Sequence, residues 1–193
     1  MSIKRQAGLS LVELVMFIVV VSVGVVGVMS VMGNMVARSA DPMARKQALA
    51  IAESLLTEIQ QQPFTWCDPQ DAAVLSATSA ASCTNDQNKG GVAFSSPPTT
   101  SPTPAGELRG DTSNPFDNVA DYAGYQAAGN VITGNVSLSD YTASVTISRA
   151  GAAGAFASIP LDAVLQIVVT VTGRNETVSL TGYRVRYAPN SPG

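Results

Sequence analysis

Histidine is absent from the 193-residue chain. That removes the commonest general base and the commonest metal ligand, and with them much of the case for an enzyme. Charge is scarce as well. Only 13% of residues are charged and the formal net charge is -3, so nothing draws the chain to nucleic acid by electrostatics. Cysteine occurs twice, at Cys67 and Cys83. The longest gap in charge is local: from Leu14 to Ala37 there is no Asp, Glu, Lys or Arg.

That gap is the most informative stretch of the sequence. It runs 24 residues, or about 36 Å as a helix, against a bilayer core of about 30 Å. Lys4 and Arg5 precede it, and no basic residue follows until Arg38. This asymmetry favours a cytoplasmic N-terminus and a C-terminal part on the periplasmic or outer side. An ordinary secretory signal has an apolar region of about 7–15 residues and a small-residue cleavage site. Here the run is longer, and Val36-Ala37-Arg38-Ser39-Ala40 makes a poor site. A plain membrane anchor satisfies the hydropathy but leaves Glu13, at the edge of the apolar run, without a role.

Gly8-Leu9-Ser10-Leu11-Val12-Glu13, with its basic leader and unbroken apolar run, resembles the prepilin motif of type IV pilins and type II secretion pseudopilins. The resemblance implies cleavage between Gly8 and Leu9 by a membrane peptidase that also methylates the new N-terminal amine. The apolar helix is then kept, and Glu13 becomes the fifth mature residue. A glycine before the cut leaves room at the backbone. A carboxylate beside lipid costs free energy and is a functional residue by default. The resemblance supplies its partner, the methylated amine of the same or a neighbouring subunit, so Glu13 would set subunit register. Leu9 stands where the family usually has Phe. Many major pilins carry a helix-loosening proline in this segment; none is present here, which fits a minor subunit.

Further along, Asp41-Pro42 reads as an N-cap followed by a first-turn proline. Ala44, Ala48, Ile51, Leu55 and Ile59 then form one apolar helix face, and Gln62-Pro63 ends the helix. The two helical parts make one long spine with a kink near Asp41. The expected divisions are a leader at 1–8, a transmembrane and filament-core helix at 9–37, an amphipathic second half at 38–62, and a globular part at 63–193. Within the last, residues 76–106 are poor in apolar side chains and rich in Ser, Thr and Pro, an exposed loop. An even cysteine count in an exported domain suggests one Cys67–Cys83 disulfide, whose loop of about 15 residues would contribute roughly 3 kcal/mol.

Tyr141, Ala143, Val145 and Ile147 alternate with polar residues, as do Leu165, Ile167, Val169 and Val171: two half-buried strands. Gly173-Arg174-Asn175-Glu176 is a turn. Val178 and Leu180 open a third strand, after which the apolar parity moves to Tyr183, Val185 and Tyr187, suggesting a β-bulge at Gly182. The fold class is therefore α+β, a spine helix against an antiparallel sheet. Asp68, Asp71, Asp111, Asp117 and Asp121 sit in oxygen-rich loops, but neither stretch has EF-hand spacing, and turn capping is their expected work.

Two further stretches, Ala40-Asp41-Pro42-Met43 through Ala72 and Phe116-Asp117-Asn118-Val119-Ala120-Asp121-Tyr122, resemble the minor prepilins of the mannose-sensitive haemagglutinin (MSHA) pilus group. The implied function is structural: a low-copy pilus subunit with no cofactor and no metal. Its implied partners are the prepilin peptidase and methyltransferase, other major and minor pilins, and the inner-membrane assembly platform. It would sit single-pass in the inner membrane and later at the cell surface. A minor pseudopilin of a type II secretion system shares every N-terminal feature. An uncleaved, membrane-anchored periplasmic protein is the third reading.

Overall fold

The structure, a computed structural model, describes residues 10–37, 41–86 and 106–192. The chain divides between Ala40 and Asp41 into two compact units. The fold class is α+β, with a long apolar N-terminal helix and a four-stranded antiparallel sheet in the second unit.

The first unit holds helix α1, Leu11–Ala37. Valine is a weak helix former in water. In lipid the backbone has no water to bond, so a helix is the conformation that satisfies it. Ser22 spends its hydroxyl on the carbonyl of Ile18, 2.6 Å away.

The second unit opens with helix α2, Pro42–Gln61. Asp41 caps it by accepting the Met43 N–H at 2.9 Å, and Pro42 takes the first position, where an N–H has no intrahelical partner. All five stripe residues, Ala44, Ala48, Ile51, Leu55 and Ile59, are fully buried, joined by Ala52. They lie against a sheet of order β1-β2-β3-β4, where β1 is Gln126–Ala128, β2 Tyr141–Arg149, β3 Val164–Gly173 and β4 Glu176–Val185. The alternating residues of β2 and β3 supply the other side of this core: Tyr141, Val145, Ile147, Leu165, Ile167, Val169 and Val171. The Tyr141 hydroxyl donates to Gln47 of α2 at 2.8 Å, tying the helix start to the sheet.

The β3–β4 turn is as short as the sequence suggests. Arg174 and Asn175 both adopt positive φ, 48° and 62°, the conformation a two-residue hairpin turn requires. Arg174 is held there by Asp140 at 3.1 Å and by the ring of Tyr141.

The expected bulge at Gly182 is not there. Pairing of β4 with β3 runs unbroken from Gly173↔Glu176 to Val164↔Val185, with Ile167 opposite Gly182. Gly182 instead faces α2, where a Cβ would lie 2.4 Å from the Gln60 side chain and 3.0 Å from Leu56. The glycine lets the helix settle on the strand. Tyr183 lies on the other face, where Phe156, from the β2–β3 connection, packs against it with ring centres 5.1 Å apart. The apolar parity changes because the outer face acquires its own cover, not because the strand slips.

Two elements were not expected: the three-residue strand β1 and helix α3, Gly129–Thr133, which precede β2. Most of the expected loop at 76–106 and the junction at the expected kink, 38–40, lie outside the described residues. The part of that loop which is described is not all exposed, since Ala77 is buried with Cys67 and Val74.

Candidate functional site

Three of the residues singled out by sequence lie at the N-terminus. Gly8 and Leu9 are outside the described residues. Glu13 lies in the first turn of α1, exposed, and the partial positive charge of a helix N-terminus favours a carboxylate there. From Leu11 to Gly33 the helix has a mean hydropathy of 2.8, and none of that span is buried by the chain itself. Phe17 is 68% exposed, Val23 70% and Met29 70%. This is one helix long and apolar enough to cross a membrane, consistent with single-pass anchoring.

The second unit brings the two cysteines together. Cys67 and Cys83 form a disulfide, with Cα atoms 5.2 Å apart. Cys67 is buried against Val74 and Ala77, and Trp66 packs beside them. Asn190 donates to the carbonyls of Val74 and Ala77, both at 2.9 Å, and the Trp66 N–H bonds to Pro189, so the C-terminal segment braces the disulfide loop. Closure of a loop spanning 16 positions is worth about 3 kcal/mol. Reduction with dithiothreitol is expected to lower the unfolding midpoint of the second unit, and Cys67→Ser/Cys83→Ser should match the reduced protein in thermal melts.

The loop aspartates cap turns. Asp68 accepts the Gln70 N–H, Asp71 accepts those of Ala73 and Asn85, and Asp111 accepts that of Ser113, all at 2.7–2.8 Å. The bonds from Asn85 and Ala73 hold the Asp71 carboxyl below its ordinary pKa. Asp121 accepts the N–H groups of Asn118 and Asp117, while Asn118 caps the same single turn in return. Folding also assembles what the spacing did not show. Asp68, Glu107 and Asp121 are buried and bring carboxylate oxygens within 4.8 Å of one another. These three oxygens could contribute to a hard cation, but calcium takes six to eight.

Asp117 stands beside this group. Burial, and then the charge of Asp68, push its carboxyl up to about 6. A carboxyl whose pKa is raised by folding binds its proton more tightly folded than unfolded. This group's contribution to stability therefore falls as pH rises from its ordinary value near 3.8 to about 6, then levels off. Asp117→Asn should remove this penalty. It is expected to raise stability at pH 7.5 by roughly 1 kcal/mol, well under the full shift because the group is part-exposed. Urea melts at pH 4 and pH 7.5 would check it: the variant's gain over wild type should be larger at pH 7.5 than at pH 4.

Sequence reasoning missed two arginine sites. Arg109 grips Glu58 of α2 through two hydrogen bonds, 2.6 and 2.7 Å, and also donates to the carbonyls of Val131 and Ile132. Tyr122 donates to the same carboxylate at 2.7 Å. Burial raises the Glu58 carboxyl, but Arg109 and Tyr122 outweigh it and hold it below its ordinary value. Arg186 lies between the rings of Phe64 and Trp66, 4.0 Å from each, and pairs with Asp162 at 3.5 Å. Burial lowers its pKa to about 10, still charged at neutral pH. Phe64 and Trp66 mark an aromatic-anchored loop in the sequence, but its cation comes from more than 100 residues further on. No protein-family model, curated protein or solved structure matches this chain.

Proposed function

We propose that the chain is a minor subunit of a type IV pilus of the MSHA type, processed by a prepilin peptidase and assembled through its N-terminal helix. The observation that carries this reading is α1: a 27-residue helix, none of its apolar span covered by the chain, with a single carboxylate in its first turn. So much uncovered apolar surface needs lipid, or other apolar helices, around it. A subunit that begins in the inner membrane and ends in a filament core meets both in turn. Cleavage after Gly8 leaves a charged amine four residues from Glu13, and in apolar surroundings that pair fixes register. The disulfide suits an exported domain.

The test is N-terminal peptide mass spectrometry on sheared surface filaments and on the membrane fraction. A peptide beginning at methylated Leu9 in the filaments is the expected result. An intact Met1 or Ser2 terminus confined to membranes would replace the proposal with a simple anchored protein. A processed chain that co-purifies with a secretion complex and is missing from surface filaments would make it a minor pseudopilin.

A further inference from the structure

At the end of β4 the face toward α2 collects positive charge. Arg149 and Arg184 are both in register with Leu165, one on each side of β3, and Arg186 follows just beyond the strand. Arg186 is engaged by Asp162 and two rings. Arg184 is not so engaged. Its guanidinium stands 5.6 Å from the ring centre of Tyr187, and its buried Nε has no hydrogen-bond acceptor among the described residues. No carboxylate among those residues pairs with it.

Arg184 lines a cavity of about 230 Å³ at the C-terminal end of α2. Phe64 and Tyr187 line it as well, with Gln61 and Ser191 also at its edge. A guanidinium fork suits a planar anion with two oxygens, which is a carboxylate. The positive charge of Arg186, one ring away on Phe64, adds to the attraction and disfavours a cation. The rim favours a protein as the source. Tyr187 is 77% exposed beside Arg184, and Tyr and Arg are the residue types enriched at the centres of protein interfaces. The cavity is also small, with room for a side chain.

We propose that this cleft receives an Asp or Glu side chain of a partner protein, with Arg184 as the bidentate donor. The inference goes beyond the pilus reading and does not require the partner to be a pilin.

The test uses the full chain in detergent micelles, with the backbone amide resonances of Tyr187 and Ser191, which line the cavity, followed by NMR. Three probes are titrated: the capped peptide acetyl-Gly-Glu-Gly-amide, its Gln counterpart, and inorganic phosphate. The Glu peptide is expected to shift these resonances saturably, and to bind at least about tenfold more tightly than the Gln peptide. Arg184→Gln should abolish the effect, with thermal melts checking the fold. Arg184→Lys, which keeps charge but loses the fork, should weaken it by about tenfold. Arg174→Gln, at an exposed arginine already paired with Asp140, should leave it unchanged. Equal response to the Glu and Gln peptides, or no saturable shift, would overturn the proposal. Phosphate binding as tightly as the Glu peptide would overturn it in favour of a small-anion site, and wild-type binding by Arg184→Lys would remove the bidentate role.

Discussion

Under the proposed pilus function, Glu13→Ala is expected to leave cleavage after Gly8 intact and to cut the share of the protein in sheared filaments by tenfold or more. The carboxylate lies at the start of a helix whose next 24 residues carry no charge. In an apolar filament core a charge is tolerated when it meets its opposite, and removing one partner of such a pair typically costs about 3–5 kcal/mol. The alanine chain leaves the terminal amine with that cost. Glu13→Gln keeps the size and loses the charge, so it should fail in the same way. The measurement is quantitative mass spectrometry of the Leu9 peptide in membranes and in filaments. A normal membrane yield with a depleted filament yield is the signature of an assembly defect. Wild-type incorporation of the alanine variant would remove the pairing role from Glu13 and leave it an interfacial residue.

The parts of the fold legible in the sequence are those where one local pattern decides the outcome. The Asp41-Pro42 start and the Ala44 to Ile59 stripe are helix chemistry read residue by residue, and every stripe position is buried. The alternations through Tyr141–Ile147 and Leu165–Val171 declare one wet and one dry face, and the turn at Arg174-Asn175 joins the following strand directly. Strand β1 was not legible: Gln-Ala-Ala has no alternation, and alanine has little preference for a sheet. It pairs because Gln126 falls opposite Ser144 of a strand already fixed by its own core.

The change of parity after Gly182 was legible but read wrongly. Two local causes give the same pattern, a slipped strand or a covered outer face, and the second depends on Phe156, 27 residues away. The candidate site divides the same way. Glu13 is visible because a lone carboxylate interrupts an apolar context within a few residues. The gathering of Asp68, Glu107 and Asp121, and the grip of Arg109 on Glu58 from 51 positions away, are products of tertiary folding with no local periodicity to announce them.

Leu55→Ala should strongly destabilise the second unit, and Leu14→Ala should leave that unit's stability untouched. Leu55 is fully enclosed in the core that joins α2 to β3 and β4, together with Ile51, Ile59, Ile167 and Val169. Truncating it removes transfer energy and leaves a cavity that a close-packed helix and sheet can collapse only in part, a loss of about 2–5 kcal/mol. For a unit of this size that corresponds to a midpoint lower by roughly 5–15 °C. Leu14 is 50% exposed and belongs to the first unit, outside the core of the second. Its change should stay within about 0.5 kcal/mol. Thermal melts in detergent, followed by near-ultraviolet circular dichroism of the single tryptophan, Trp66, read the second unit alone. A fall of under 2 °C for Leu55→Ala would mean that α2 does not rest on the sheet through this stripe. A large fall for Leu14→Ala would mean that α1 contributes to the second unit's stability. With the expected contrast, the apolar residues of α2 hold the fold together, while those of α1 remain available to lipid and, under the proposed function, to neighbouring subunits.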